Sequence, residues 1–149
     1  MPCVARFKNF SVRVTEQGGE LLSIDIVPPE PVDTGLSPLA REAGRQMQDY
    51  MAGKLTHFNL PLRADGTEFQ RAVWHAMAAV PYGETRSYAQ LARAAGRPRA
   101  SRAVGSACGR NPLPIVVPCH RIVTSDGQLG GYSGGVNIKA ELLELERSR

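Results

Sequence analysis

One segment constrains the possible fold and function of this chain more than any other. Residues 115–121 read Ile-Val-Val-Pro-Cys-His-Arg, an apolar run followed by a proline and three reactive side chains. The β-branched residues 115–117 predict a short buried strand. Pro118 cannot donate a hydrogen bond to a sheet, so we expect the strand to end there and the chain to turn. The turn would place Cys119 where the core meets a cleft.

The two residues after Cys119 favour its reactive form. An imidazole such as that of His120 can take the thiol proton, and a guanidinium such as that of Arg121 can stabilise the thiolate. A buried free cysteine is also common as a small apolar core residue. The motif alone therefore leaves two interpretations, a nucleophile and a structural cysteine.

The composition is typical of a globular protein. With 149 residues, of which 42% are hydrophobic and 21% charged, the chain can form one ordinary domain or two small ones. No apolar run approaches membrane-spanning length and no basic start precedes an apolar stretch, so we expect a cytoplasmic protein without a membrane partner. Three widely spaced cysteines fit free thiols in a reducing compartment. Without a Cys-x-x-Cys or His-x-x-x-His pair, we expect no metal.

The charges are distributed unevenly. Residues 70–121 contain eight arginines, no lysine and one acid, a net charge of +7, whereas the rest of the chain has ten basic and thirteen acidic residues, a net charge of −3. Such a basic middle predicts a surface for a polyanion, and the exclusive use of arginine favours phosphate or base contacts. A solvated charged surface is the alternative, although such a surface normally mixes both signs.

The first fifty residues predict a hairpin followed by a helix. Residues 5–14 alternate apolar and polar side chains as a strand does, and a polar turn at 17–20 leads into a second strand at 21–27. Pro38 near the start and Gly53 near the end bracket the helix.

A polar stretch at residues 60–66 predicts a domain boundary. We therefore expect a small N-terminal α/β scaffold domain, residues 1–62, and a mostly helical second domain, residues 63–149. The overall fold class would be α/β, more narrowly α+β, with the reactive cysteine buried in the second domain.

Helix signals dominate the second domain. Thr67 can cap a helix that carries an apolar stripe. The stripe comprises Phe69, Val73, Met77 and Val80. Ser87 and Gln90 have the spacing of a capping box that opens a short helix. A glycine-containing break and a second helix of small residues and arginines, residues 99–106, complete a helix-turn-helix outline.

Two features follow the Cys-His-Arg corner. Four glycines around Tyr132 and Ser133 permit a ligand to contact the main chain, and a flexible surface loop is the alternative. A last helix begins at about Asn137. Its apolar stripe comprises Ile138, Leu142 and Leu145. Glu146 lies at the edge of that stripe, where it could orient an imidazole, or it could be an exposed glutamate near a helix end.

Six short motifs occur in order along the second domain. They are Thr67-Glu68-Phe69-Gln70, Pro81-Tyr82-Gly83-Glu84, Arg102-Ala103-Val104-Gly105, Asn111-Pro112-Leu113-Pro114, Pro118-Cys119-His120-Arg121 and Gly131-Tyr132-Ser133-Gly134-Gly135. From about Gly66 to Glu146 the chain thereby resembles the O6-alkylguanine-DNA alkyltransferases, the methylated-DNA–protein-cysteine methyltransferases. The resemblance implies a DNA-repair enzyme that transfers an alkyl group from O6-alkylguanine in DNA, with O4-alkylthymine as a second candidate, to Cys119 in a single turnover.

The resemblance also implies a role for each matching residue. The catalytic residues would be Cys119 as acceptor, His120 as a base acting through a water, Glu146 as its support, and Asn111 as a brace for the turn. The pocket for the flipped base would be formed by Tyr88, Tyr132, Ser133 and Ile122. The resemblance makes Arg102 an intercalating finger on a DNA-binding helix that also carries Ser101 and Ala103. Arg97 and Arg99 are added to the DNA-binding residues from their spacing alone.

The same resemblance bears on cofactors and partners. No cofactor is expected, and the partner would be double-stranded DNA containing O6-alkylguanine, bound through its minor groove by a monomer. Some members of the family bind zinc in the N-terminal domain, but Cys3 and His57 alone cannot form that site.

Two other classes share parts of this pattern. The alkyltransferase-like proteins bind lesions without repairing them and carry another residue in place of the thiol, whereas Cys119 is present here. A thiol hydrolase would also use cysteine and histidine, but it would need no arginine-rich helix pair and would turn over many times.

Overall fold

The computed structural model describes residues 1–148, which form two compact units. One comprises Met1–Ala64, and the other begins at Asp65. A unit of sheet and helix followed by a mostly helical unit confirms the predicted α/β (α+β) class. Among residues 1–148, every helix is too short or too polar to span a bilayer.

The first unit is a three-stranded antiparallel sheet with one helix packed on it. The elements are β1 (Cys3–Arg6), β2 (Ser11–Gln17), β3 (Glu20–Val27) and α1 (Pro38–Met51), and the sheet order is β1-β2-β3. The predicted hairpin is present as β2 and β3, which pair antiparallel on either side of the turn at residues 17–20. The expected first strand, residues 5–14, differs in that a turn divides it between β1 and β2. In this turn the N–H of Phe7 donates to the carbonyl of Phe10 at 2.8 Å.

Helix α1 begins and packs as its sequence requires. Ser37 accepts the N–H of Ala40 at 3.1 Å, and Pro38 occupies the first turn, where its missing N–H has no partner to lose. A Cβ at Gly44 would lie 2.3 Å from the carbonyl oxygen of Val4. Only glycine therefore lets α1 approach the sheet this closely.

The second unit contains four helices and two very short strands. They are α2 (Glu68–Ala78), β4 (Arg86–Ser87), α3 (Tyr88–Ala94), α4 (Ser101–Gly109), β5 (Ile122–Val123) and α5 (Val136–Arg147). Both predicted helix caps, at Thr67 and Ser87, are confirmed as reciprocal capping boxes. Trp74 of α2 is a core residue, and its indole N–H donates to the carbonyl of Ala107 in α4 at 2.8 Å.

Helices α3 and α4 confirm the predicted helix-turn-helix. Helix α4 begins at Ser101, two residues later than predicted, and it has no side-chain cap. Val104, Ala107 and Cys108 face the core from this helix. Its first turn is exposed, which leaves small residues and one arginine on the outer surface.

The predicted strand at residues 115–117 is a tight turn instead. The N–H of Val117 donates to the carbonyl of Leu113 at 2.9 Å, and Ile115 has a φ of 74°, which is rare for a β-branched residue. Asn111 holds the turn: its side chain donates to the Val117 carbonyl at 2.8 Å and accepts the Leu113 N–H at 3.0 Å. The prediction was wrong because this side chain supplies hydrogen bonds that a strand would take from a sheet.

A short parallel ladder positions the residues that follow this turn. After a 3₁₀ turn at Cys119–Arg121, β5 pairs with β4 through Arg86 with Ile122 and Ser87 with Val123. Since α3 begins directly after β4, the ladder ties the start of α3 to the chain just beyond Cys119.

Candidate active site

A pocket with a volume of about 310 Å³ is lined by Cys119 and by three other segments of the second unit. These segments are the start of α3, the inner face of α4, and the glycine-rich loop before α5. The lining residues are Tyr88, Gly105, Cys108, Gly109, Cys119, Gly131, Tyr132 and Ser133. The structure thus brings the predicted nucleophile together with three of the four predicted base-pocket residues.

Cys119 is a buried residue, 7% exposed. Burial raises the pKa of Cys119, while a hydrogen bond from Asn111 and the positive charge of Lys139 act in the opposite direction. The groups that favour the thiolate are therefore Asn111 and Lys139, whereas the guanidinium of Arg121, which we expected to do so, is bound to Glu146. The resting thiol therefore needs a base to remove its proton.

His120, Glu146 and Arg121 form a buried network. The His120 Nε2 lies 2.7 Å from a Glu146 carboxylate oxygen. Arg121 donates to both oxygens of the same carboxylate, at 2.8 and 3.0 Å, and to the Val80 carbonyl at 2.7 Å. Glu146 is 2% exposed. The structure therefore supports the interpretation that its carboxylate points inward and orients the imidazole.

The position of Arg121 corrects one part of the charge analysis. We counted this residue in the basic surface, yet it is 7% exposed and its guanidinium is bound to Glu146. Its charge compensates a buried carboxylate and is therefore not presented to a polyanion. The basic surface consists of the other arginines of residues 70–121.

Burial lowers the pKa of His120, whereas the Glu146 carboxylate raises it and the positive charge of Arg121 lowers it further. The imidazole is accordingly neutral at neutral pH. With Nε2 directed at the carboxylate, the proton of this ring lies on Nε2, and Nδ1 is the nitrogen that can accept one. The site thus pairs a protonated thiol with a neutral base.

The depressed pKa of His120 predicts a loss of stability in mild acid. The unfolded chain binds a proton at His120 below its ordinary pKa of about 6.5, but the folded chain resists doing so. From pH 6.5 downward the free energy of unfolding should fall, by at most about 1.4 kcal/mol per pH unit for this one group. Urea denaturation between about pH 7.5 and 5.5 measures the slope.

Two variants identify the group responsible for this slope. His120→Gln should flatten it, and His75→Gln, at an exposed histidine, should leave it unchanged. A slope that persists in His120→Gln would assign the titration to another residue.

Lys139 is a functional candidate that the sequence analysis missed. It is fully buried in α5, and its ammonium donates to the carbonyls of Ile122 and Gly131, at 2.6 and 3.2 Å. This lysine therefore fastens the glycine-rich loop to β5. Burial lowers the pKa of Lys139, and the nearby thiols raise it.

The spacing of residues along α5 indicates that Lys139 and Glu146 are both buried. Lys139, Leu142, Leu143 and Glu146 recur at the spacing of one helix face and are all buried. The stripe that we predicted included Leu145 instead, which is only half-buried. A helical wheel centred on residues 142 and 143 would have placed a lysine and a glutamate on the core side.

The predicted base-pocket residues occupy different positions. The hydroxyl of Tyr132 is buried and has no hydrogen-bond partner within residues 1–148. Tyr88 is half-buried, and a Cβ at Gly130 would lie 3.0 Å from its hydroxyl, so a glycine is needed beside it. Ser133 is exposed at the pocket rim. Ile122 is fully buried outside the lining set, and its carbonyl binds Lys139.

The predicted DNA-binding residues share one surface feature: all are exposed and lie on the first turn of α4 or in the turn before it. They are Arg97, Arg99, Ser101, Arg102 and Ala103. Four of the five lie within residues 99–103, so arginines and small residues are exposed together at the start of α4.

No metal cluster is formed by residues 1–148, since no three histidine, cysteine or acidic side chains among them are placed to hold an ion. Cys3 is buried in β1 and His57 is exposed.

Comparisons with known proteins agree on one family. The family model described as the DNA binding domain of 6-O-methylguanine DNA methyltransferase matches residues 68–148. A methylated-DNA–protein-cysteine methyltransferase of Methanosarcina barkeri is 53% identical over 108 residues, which are 72% of this chain and 68% of that protein. One from Mycobacterium tuberculosis is 54% identical over 104 residues, 70% of this chain and 63% of that protein.

A solved structure extends the similarity to both units. The crystal structure of Mycobacterium tuberculosis OGT in complex with DNA matches with a TM-score of 0.83 and 42% identity, covering 93% of this chain and 87% of that one. The match of sequence and fold shows that this chain belongs to the 6-O-methylguanine DNA methyltransferase family.

Proposed function

We propose that this protein repairs DNA by transferring the alkyl group of an O6-alkylguanine, with O4-alkylthymine as a further candidate, to its own Cys119. One observation supports this assignment above all: Cys119 lines a pocket and is followed by a neutral His120 that Glu146 orients at 2.7 Å. The second unit carries both the chemistry and the DNA contacts, and residues 1–62 act as a scaffold.

The proposed step forms one bond and breaks one. The Cys119 thiol loses its proton to His120, through a bridging water, and its sulfur attacks the alkyl carbon as the bond to guanine O6 breaks. The guanine leaves as an oxyanion that takes up a proton and is restored to the normal base. Because the thioether on Cys119 does not hydrolyse, each molecule acts once.

Three groups are assigned to the flipped base. The Tyr88 hydroxyl would contact the N3 edge, and the N–H of Ser133 would donate to O6, where negative charge develops as the bond breaks. The buried Tyr132 hydroxyl, without a partner within the described residues, would close the pocket over the base. Asn111 would hold the turn that carries Cys119, since its side chain bonds both ends of residues 113–117.

The DNA is proposed to bind through its minor groove. The first turn of α4 exposes small residues that allow close approach to a groove, and Arg102 projects from the same turn. O6 is inaccessible in stacked duplex DNA, so the nucleotide must leave the helix, and Arg102 would fill the space that it vacates.

Two further proposals concern the state of the protein. Nucleophile, base and basic surface all belong to one unit of one chain, which supports action as a monomer. The three cysteines are free thiols, and the acceptor must stay reduced, which supports a cytoplasmic, reducing location.

The stoichiometry of repair tests the proposed function. Loss of O6-methylguanine from a duplex should be complete in one phase and stop at one equivalent per protein. Turnover beyond one equivalent would favour a thiol hydrolase, and tight lesion binding without loss of methyl would favour a recognition module.

Arg102→Ala is expected to slow repair of duplex DNA at least about tenfold, because extrusion of the base loses its support. Reaction with O6-methylguanine supplied as the free base at high concentration should change little. Single-turnover rates on both substrates measure the difference, with Arg41→Ala in the first unit as the control. An equal loss on both substrates would place Arg102 in the fold or the pocket.

Replacing Arg97 and Arg99 together by alanine is expected to weaken the salt dependence of DNA binding. For each phosphate that these arginines neutralise, the double variant should reduce the slope of log K against log salt by about 0.9. Binding titrations over a range of salt concentrations measure this slope. Arg6→Ala with Arg41→Ala, two exposed arginines of the first unit, is the matched control. An unchanged slope in the first double variant would remove these two residues from the DNA surface.

A further inference from the structure

A second groove of the same unit lies between the end of α2 and the outer side of α3. Its volume is about 370 Å³, and it shares no lining residue with the pocket that contains Cys119. Three alanines contribute to its apolar part, namely Ala76, Ala79 and Ala94. Its polar side chains are those of Arg86, Gln90 and Arg93.

The polar side chains of this groove offer hydrogen-bond donors. The Gln90 side-chain oxygen already accepts the N–H of Ser87 at 2.8 Å, so its NH2 group is the part left for a ligand. Arg86 donates to the Thr85 carbonyl at 2.9 Å and to Glu84 at 3.0 Å, which holds its guanidinium in place and leaves further N–H groups. Arg93 is exposed. A negatively charged ligand with acceptor oxygens fits such a surface.

The groove faces away from the catalytic pocket. A helix turns by about 100° per residue, so Gln90, Arg93 and Ala94 lie on the side of α3 opposite to Tyr88. Tyr88 lines the pocket of Cys119, whereas the other three residues line the groove. A ligand in the groove therefore does not compete with a base in the pocket.

The groove ends beside the proposed DNA surface. Arg93 lies in the last turn of α3, and the N–H of Arg97 donates to the Ala92 carbonyl at 2.8 Å, which closes the turn onto this end of the helix. Arg97 and Arg99, which the proposed function assigns to DNA, therefore follow the end of α3 that carries Arg93. Since phosphate oxygens are charged acceptors, a DNA backbone at Arg97 meets matching donors in the groove.

We propose that the groove between α2 and α3 is a second phosphate-binding site, which holds the backbone of the DNA that flanks the lesion. Arg93, Arg86 and Gln90 supply the donors, and the small alanine side chains allow the sugar–phosphate chain to approach closely. The proposal rests on the proposed binding of the lesion duplex at α4. It assigns to the groove an additional contact that touches neither the flipped base nor Cys119.

The test compares repair of one O6-methylguanine at the centre of two duplexes, of about 12 base pairs, little more than one helical turn, and of about 40 base pairs. Only the longer duplex has flanking DNA that can reach the groove. Repair rates are measured far below saturation, so that they report on binding, and are expressed as the ratio of the long to the short duplex. Effects on the pocket and on the thiol cancel in this ratio.

Arg93→Glu should lower the ratio at least about threefold, because it places a negative charge against the phosphates. Ala94→Glu adds a carboxylate to the groove and removes no charge, and it should lower the ratio as well. Both positions are exposed, so either variant can be used if the other does not fold. Arg41→Glu makes the same change in net charge as Arg93→Glu at an exposed helical position of the first unit, and it should keep the wild-type ratio.

Each outcome separates this proposal from the proposed function. If Arg93→Glu and Ala94→Glu both keep the wild-type ratio, the proposal is overturned, and an acidic protein segment becomes the better candidate for the groove. An equal loss in Arg41→Glu would assign the effect to net charge and would also overturn it. A wild-type protein that repairs neither duplex would overturn the proposed function itself.

Discussion

Glu146→Ala is expected to lower the free energy of unfolding by about 3–5 kcal/mol, because it leaves the buried guanidinium of Arg121 without its counter-charge. Both guanidinium contacts to this carboxylate are 3.0 Å or shorter, and both residues are buried. Urea denaturation should show a lower midpoint with an unchanged m value. Glu144→Ala, at an exposed glutamate of the same helix, should change stability by less than about 0.5 kcal/mol.

A double variant separates stability from chemistry in this network. Glu146→Leu combined with Arg121→Met removes both charges and should recover most of the stability that Glu146→Ala removes, since well-packed apolar residues can replace a buried ion pair. Alkyl transfer should remain slow in the double variant, because nothing then orients the His120 imidazole. A double variant no more stable than the single one would contradict the assigned role of Arg121.

Cys119→Ser is expected to reduce alkyl transfer by about 1,000-fold or more, because a serine hydroxyl is a far weaker nucleophile at neutral pH and the site is built around a thiol. The substitution is nearly isosteric, so the folded structure and DNA binding should be retained. Single-turnover repair assays and binding titrations measure the two effects separately.

Cys3→Ser is the control for Cys119→Ser, since Cys3 is a buried cysteine of the other unit. It should repair at the wild-type rate. Repair that persists in Cys119→Ser would assign the acceptor role to another residue.

The helices of the second unit were predictable because their signals are local. The capping boxes at Thr67 and Ser87 each lie within four residues, and both are present in the structure. The apolar period of α5 placed Glu146 only at the edge of the predicted stripe, so an exposed glutamate remained an alternative there. Such signals do not depend on which distant segment packs against the helix.

The features that sequence reasoning missed depend on partners that are distant along the chain. Residues 115–117 have strand propensity, but Asn111 satisfies the backbone of a turn there. Arg121 looks like its exposed neighbours in sequence, and only the fold brings it to a carboxylate 25 residues away. The burial of Lys139 was missed for the same reason, since its hydrogen-bond acceptors are carbonyls of β5 and of the glycine-rich loop.

Intact-mass and peptide-mass analysis after reaction with O6-methylguanine DNA tests the central claim most directly. The pocket contains two thiols, so Cys108 serves as an internal competitor in the same molecule. We predict a gain of about 14 Da, one methyl group, that saturates at one equivalent and lies on the peptide holding Cys119. A methyl group on Cys108 or Cys3, or transfer that continues without labelling the protein, would contradict it.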